Sequence, residues 1–266
     1  MGLSTTRVTV ENSYAPPLGS VYDPLPKSVL APLEVLGSVY PDDVIIAAHP
    51  GFRQVSDTPV SDNDCYDGAA RAWTAVSDGT VTRGRDDEIL DGLWTWDCNG
   101  NVKDGLRANL AAAVTDYTIA ALIKLNNTPD DDMIFSIGAN NSVRLGLLVN
   151  AVNDAIEIQH GITSRVWPAS GAGSGLVADT WYTVFVNYNN TSKATSLYLN
   201  NYNTPVATGT HTNSPPATLA AAIMGSAHDT NGMDGTVAAL RMWSRNITDI
   251  VKRQTVMSAL NEIKAL

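Results

Sequence analysis

The nearest approach to a hydrolytic carboxylate pair in this chain is Asp154-Ala-Ile-Glu157. Glycoside hydrolysis needs two carboxyl groups facing each other across the scissile bond. Residues three apart on a strand point to opposite faces, and no third acid follows at alternating spacing. The pattern predicts no hydrolase. His49, His160, His211 and His228 show no i,i+4 pairing, no Ser-His-Asp pattern and no glycine-rich phosphate loop. They read as scattered solvent or turn histidines.

Two other constellations could bind without catalysing. His228-Asp-Thr-Asn-Gly-Met-Asp234 offers Asp229, Asn231 and Asp234 as oxygen ligands for calcium, although it lacks the bidentate Glu of an EF-hand loop. An ordinary Asp/Asn/Gly turn is the competing reading, and no metal is assigned. Trp167, beside Pro168 and after Ser164-Arg165, supplies an aromatic and a cation of the kind that sugar sites use. The alternative is Trp167 packed at a sheet edge. Cys65 and Cys98 are too few for a disulfide framework or zinc cluster and read as free buried thiols. The sequons at Asn126, Asn140, Asn189, Asn190 and Asn246 read as turns.

Short strands separated by turn residues must position these groups. Tyr117–Leu125, Met133–Ile137, Val143–Val149 and Ala155–Gln159 show partial two-residue alternation between Asn, Asp and Gly clusters. That spacing predicts an all-β antiparallel sandwich or barrel. Along Trp181–Tyr188, Tyr182, Val184, Val186 and Tyr188 make one apolar face while Trp181 and Phe185 occupy the other, so this strand is expected to be central and covered on both sides. A hairpin leads to Thr195–Asn200, expected to be half-buried. Trp73, Trp94, Trp96, Trp181 and Trp243 read as core or near-core residues.

The one convincing helix spans 247–264. Ile247, Ile250, Val251, Met257, Leu260 and Ile263 recur at helical spacing, with Asn246 as the cap and Asp249 in the first turn. Residues 1–50 read as an extended arm because Pro16, Pro17, Pro24, Pro26, Pro32, Pro41 and Pro50 disfavour a regular helix and remove ladder donors. Its Val, Leu and Ile groups need burial, either against another protein or subunit or as a strap over the chain's own domain at 51–266.

Composition narrows the partners. The net charge of -10 and a pI near 4.7 oppose attraction to phosphates and argue against nucleic acid. No apolar run approaches the roughly 20 residues that span a bilayer. Residues 1–10 contain no stretch of signal-peptide length, so the sequence predicts neither membrane insertion nor the usual export route.

Trp181, Leu197-Tyr-Leu-Asn200, Ile223-Met-Gly225, Gly235 and Arg241-Met-Trp-Ser-Arg-Asn-Ile247 follow in an order that resembles the laminin-G-like and pentraxin-like branch of the concanavalin A-like lectin/glucanase superfamily. Asn201 stands where that branch usually has a turn glycine, and Met224 interrupts Ile-Gly. The resemblance covers roughly residues 90 to 266 and implies an all-β, antiparallel jelly-roll-type lectin-like β-sandwich, in a superfamily whose members bind sugars, adhere or hydrolyse. Fold alone does not choose among these. Two functions are carried forward, with glycoside hydrolysis as a remote third. One is a non-enzymatic bacteriophage virion surface protein (capsid decoration, head-fibre or tail-associated), a homo-oligomer held to capsid or tail proteins by the arm and able to touch cell-surface glycans. The other is a free-standing carbohydrate-binding lectin.

Overall fold

A computed structural model describes residues 27–49, 66–67, 74–75, 82–85, 94–100, 105–110, 114–127, 132–140, 143–152, 154–168, 174–216, 221–225 and 232–265. In chain order the elements are α1 (Lys27–Ser38), β1 (Val44–His49), β2 (Tyr66–Asp67), β3 (Thr74–Ala75), β4 (Thr82–Arg85), β5 (Trp94–Asn99) and β6 (Leu106–Ala108). There follow β7 (Tyr117–Leu125), β8 (Met133–Asn140), β9 (Val143–Asn150), β10 (Ala155–His160), β11 (Ser164–Val166) and β12 (Trp181–Asn189). The chain ends with β13 (Ala194–Leu199), β14 (Ala207–Thr210), β15 (Ala221–Met224), β16 (Asp234–Trp243) and α2 (Ile250–Ala265).

The strands form two antiparallel sheets. A nine-stranded sheet runs β14-β13-β12-β7-β16-β1-β2, with β5 also on β16 and β4 on β5. A seven-stranded sheet runs β11-β10-β9-β8-β15-β6-β3. Alternation assigns the faces. Tyr117, Ile119, Ala121 and Ile123 of β7 and Tyr182, Val184, Val186 and Tyr188 of β12 point into the core between the sheets, against Leu145, Leu147, Ile156 and Ile158. The opposite side of the nine-stranded sheet carries Ala120, Leu122, Trp181, Phe185 and Trp243, which pack under α1 and α2. The expected central strand is thus β12, buried from Trp181 through Tyr188.

Three local readings change. Within the span read as an extended arm, residues 27–38 are helical and Val44–Ala48 pair with β16. Pro32 lies inside α1 at a cost of roughly 3 kcal/mol. Tertiary burial offsets this: Pro32 itself is buried, Leu36 and Val39 pack against α2, and Val39 O accepts the Trp243 Nε1–H at 2.7 Å. Residues 27–49 thus pack on the chain's own sandwich, and residues 1–26 lie outside the described residues.

The C-terminal helix starts at Ile250 rather than 247. Asp249, not Asn246, caps it: its Oδ1 accepts the Val251 N–H at 2.8 Å. Ile247 is instead buried ahead of the helix, its N–H donating to Thr118 Oγ1. Ile250 and Val251 are exposed, and the buried stripe is Val256, Met257, Ala259, Leu260 and Ile263. Asp154 is the third difference. It sits in the turn before β10 with φ of 44°, not on the strand with Glu157.

Where β16 crosses β7, a Cβ on Gly235 would lie 2.4 Å from the Lys124 carbonyl oxygen and 2.9 Å from Met233 Cε. The carbonyl belongs to the ladder and cannot retreat without breaking it. Gly235→Ala is therefore expected to cost about 2–3 kcal/mol, read as a lower urea midpoint at unchanged slope.

Candidate functional site

With α1 and α2 covering the nine-stranded sheet, the outer side of the seven-stranded sheet is the face not covered by helices among the described residues. Its inward positions on β10, Ile156 and Ile158, are core. Its outward positions, Glu157 and Gln159, are polar, and both are buried. On β9 the same outward face carries Arg144, Gly146, Leu148 and Asn150, and on β11 it carries Arg165.

Pairing turns these residues into a ladder. Glu157 accepts an amide hydrogen bond at each oxygen, Oε2 from Asn150 and Oε1 from Gln159, both at 2.5 Å. Gln159 Oε1 accepts from Arg144 Nη2 at 2.9 Å. Arg165 lies opposite Gln159 in register and reaches diagonally to Glu157, with Nε 3.5 Å from Oε1. The same Nε–H donates to the Ile162 carbonyl at 3.0 Å. The ladder's inner end is sealed, since Glu157 has no exposed side-chain surface, whereas the Arg165 side chain is 40% exposed at the sheet edge. Gly146, paired with Gln159, is buried under its neighbours on this face. A Cβ there would sit 3.6 Å from Met133 Sδ and 3.7 Å from Arg144 Nε.

Trp167 follows one residue after the last paired position of β11, Val166 opposite Ile158, and is half-buried. The two sequence-predicted sugar contacts, Arg165 and Trp167, thus lie on the strand edge beside Glu157 and Gln159. Sequence reasoning missed Glu157, Gln159, Arg144 and Asn150 as a group. The available signal was the polar alternation Glu157, Gln159 against apolar Ile156, Ile158.

The calcium candidates do not come together as described residues. Asp229 and Asn231 lie outside them. Asp234 accepts the Asn126 amide at Oδ1 (3.0 Å) and the Asn127 amide at Oδ2 (2.7 Å), so both oxygens tie the β7 end to β16. No group of three or more His, Cys, Asp or Glu among the described residues could hold a metal ion. Cys98 is buried and not in a disulfide; Cys65, Trp73 and His228 lie outside the described residues.

The histidine expectation is corrected. His160 and His211 are 0% and 2% exposed and stack on each other, because His160 continues the inward alternation of Ile156 and Ile158. Burial depresses both, His160 to about 3 and His211 to about 4, with their mutual proximity adding to the effect on His160.

Two antiparallel sheets packed face to face, one outer face under helices and the other polar, define a lectin-type β-sandwich. Residues 99–249 match the laminin-G-type family model described as the concanavalin A-like lectin/glucanases superfamily, and the chain belongs to that superfamily. No curated protein matches the sequence. Among solved structures, domain 4 of an extracellular GH43 arabinanase from Geobacillus stearothermophilus, in complex with arabinotriose, is 13% identical with a TM-score of 0.50, covering 82% of this chain and 99% of that one. The Trypanosoma rangeli sialidase in complex with 2,3-difluorosialic acid is 12% identical with a TM-score of 0.57, over 89% of this chain and 38% of the sialidase. The binding domain of botulinum neurotoxin DC in complex with SialylT is 11% identical with a TM-score of 0.54, over 82% of this chain and 52% of that domain. At such identities the likeness establishes a shared fold. Among the described residues no helix is long and apolar enough to cross a membrane.

Proposed function

We propose that this chain is a non-catalytic glycan-binding adhesion domain, and that the glycan docks along the β10–β11 edge of the seven-stranded sheet. The observation that carries the reading is the hydrogen-bonded ladder Asn150–Glu157–Gln159–Arg144, which emerges at the surface through Arg165 beside Trp167. Sugar hydroxyls donate and accept at once, and the part-exposed Arg165 guanidinium, held from behind by the buried Glu157, can donate to them. An indole face packs on the ring's C–H surface while its N–H stays available. The structural neighbours solved with arabinotriose and SialylT support the same ligand class.

The two carboxylates singled out in the sequence favour a binding over a hydrolytic role. Both Glu157 oxygens are engaged by amides, and Asp154 sits in the preceding turn. The finer reading is a virion surface protein held to capsid or tail proteins. In that reading attachment falls to residues 1–26, since 27–49 are built into the sandwich.

A glycan array probed with the full chain tests the proposal. At least one glycan class is expected to bind, and Trp167→Ala should weaken it by about tenfold or more while leaving the melting temperature nearly unchanged. Binding that survives Trp167→Ala and Arg165→Ala undiminished would place the site elsewhere.

A further inference from the structure

One end of the sandwich interior holds a group of polar rings that glycan binding does not use. His160 closes β10 in the seven-stranded sheet, and His211 follows β14 in the nine-stranded sheet. Their ring centroids are 3.7 Å apart and the planes differ by 17°. Tyr117 of β7 and Tyr188 of β12 close the group, stacked on each other at 5.0 Å, with Tyr188 edge-on to His160 at 4.5 Å.

The partners fix the protonation state. Nδ1 of His160 faces the Asn213 carbonyl at 2.9 Å, which can only accept, so this nitrogen carries the hydrogen. Its Nε2 therefore accepts the Tyr117 hydroxyl at 2.8 Å. Nδ1 of His211 lies 3.2 Å from the Ser164 carbonyl and 3.1 Å from Ser164 Oγ, which accepts the Thr212 N–H at 2.9 Å; a hydrogen on Nδ1 serves the carbonyl and strands no N–H at Nε2. His211 Nε2 is buried without a hydrogen-bond partner. A second proton on His160 would expel the Tyr117 donor. On His211 it would create a buried N–H with nothing to accept it. With both present, two cations would face each other at stacking distance.

The facing charged and titratable groups are Tyr117, Tyr188, Lys193 and Asp116. Burial raises Tyr117 well above its ordinary range and Tyr188 to about 12, so both hydroxyls keep their protons. Lys193, in the β12–β13 turn, donates to Asn190 and Ser214 and disfavours a charged His160. The Asp116 carboxylate accepts the Asn190 N–H at 2.7 Å. Among the described residues no carboxylate hydrogen-bonds either imidazole.

The latched segment is 211–216. Asn213 holds His160 through its carbonyl, Thr212 is tied to Ser164, and the His211 N–H donates to the Lys193 carbonyl at 2.9 Å. We propose that the stacked His160–His211 pair is an acid-operated latch: each ring takes one solvent proton at Nε2, and the 211–216 segment then releases the β10–β11 end of the sandwich. The depressed histidines give the direction. A histidine ordinarily titrates near 6.5, so the latch is fully closed above that pH. It weakens as pH falls from 6.5 toward the folded values of about 4 and about 3. Each linked histidine raises the opening equilibrium about tenfold per pH unit in that window, and the pair about a hundredfold.

Hydrogen exchange on the full chain between pH 7.5 and 4.5 tests this, read as protection factors corrected for intrinsic rate. Protection at the His211 and Thr212 amides is expected to fall steeply with acid while β7 and β12 stay protected. His211→Phe keeps the stacking and His160→Gln keeps hydrogen-bonding capacity, and the double variant is expected to show a flat profile. Wild-type protection that holds to pH 4.5, or a loss that persists in the double variant, overturns the latch. If the variant fails to fold, the wild-type imidazole NMR titration decides. Both rings should stay neutral while Thr212 is protected, and protonation near pH 6.5 with that protection intact refutes the proposal.

Discussion

Removing residues 1–49 is expected to abolish the native fold. The truncation deletes Leu36, Val39 and Ile46, exposed by only 2%, 1% and 0%. Burying each is worth about 1.5–3 kcal/mol, so the three together contribute about 5–9 kcal/mol. That is comparable to the whole stability of an ordinary domain, about 5–15 kcal/mol. It also removes the Val39 carbonyl that accepts the buried Trp243 indole, and the Asp43 carboxylate that pairs with Arg245 at 2.6 Å. The β16 segment that pairs with Val44–Ala48 becomes an open edge, which favours aggregation. Near-ultraviolet circular dichroism and a melting curve check the outcome: loss of the Trp signal and of a cooperative transition is expected. A truncated chain that melts cooperatively near the full chain's midpoint would contradict the packing described.

Glu157→Ala carries the second large effect. The carboxylate is wholly buried and accepts from both Asn150 and Gln159, with the Arg165 guanidinium 3.5 Å away. Deleting it strands two amide donors at roughly 1–3 kcal/mol each. Arg165 is 40% exposed and can rehydrate, so its share is small. The expected cost is about 3 kcal/mol, measured as a reduced urea midpoint at constant slope. Glu157→Gln keeps the shape and one acceptor, and is expected to cost less than half as much. If Glu157→Ala were as stable as the wild type, the ladder would contribute nothing to the fold.

The strands that build the sandwich were legible because their alternation is local. Tyr182, Val184, Val186 and Tyr188 against Trp181 and Phe185 define a strand buried on both faces without knowledge of its neighbours. The N-terminal segment was not, because the helix penalty of Pro32 is local, whereas the contacts of Leu36 and Val39 that outweigh it come from α2, some 220 residues later in sequence. The helix start was misplaced for a related reason: Ile247 fits the helical spacing, but its backbone is held by Thr118 and Asn187 from the sheet.

The site was legible only in part. Trp167 and Arg165 could be chosen by residue type, but Arg144, Asn150, Glu157 and Gln159 become one surface only once β9, β10 and β11 are in register. The histidine pair was hidden similarly. His160 follows the inward alternation of its strand, while His211 arrives from the other sheet.

The most direct measurement of the central claim is amide chemical-shift mapping of the full chain titrated with a glycan identified on the array. The account predicts saturable shifts concentrated at residues 157–159 and 164–167 of the β10–β11 edge, with smaller ones at 144–150 on β9. Saturable shifts confined to other parts of the surface, with this edge unperturbed, would contradict it.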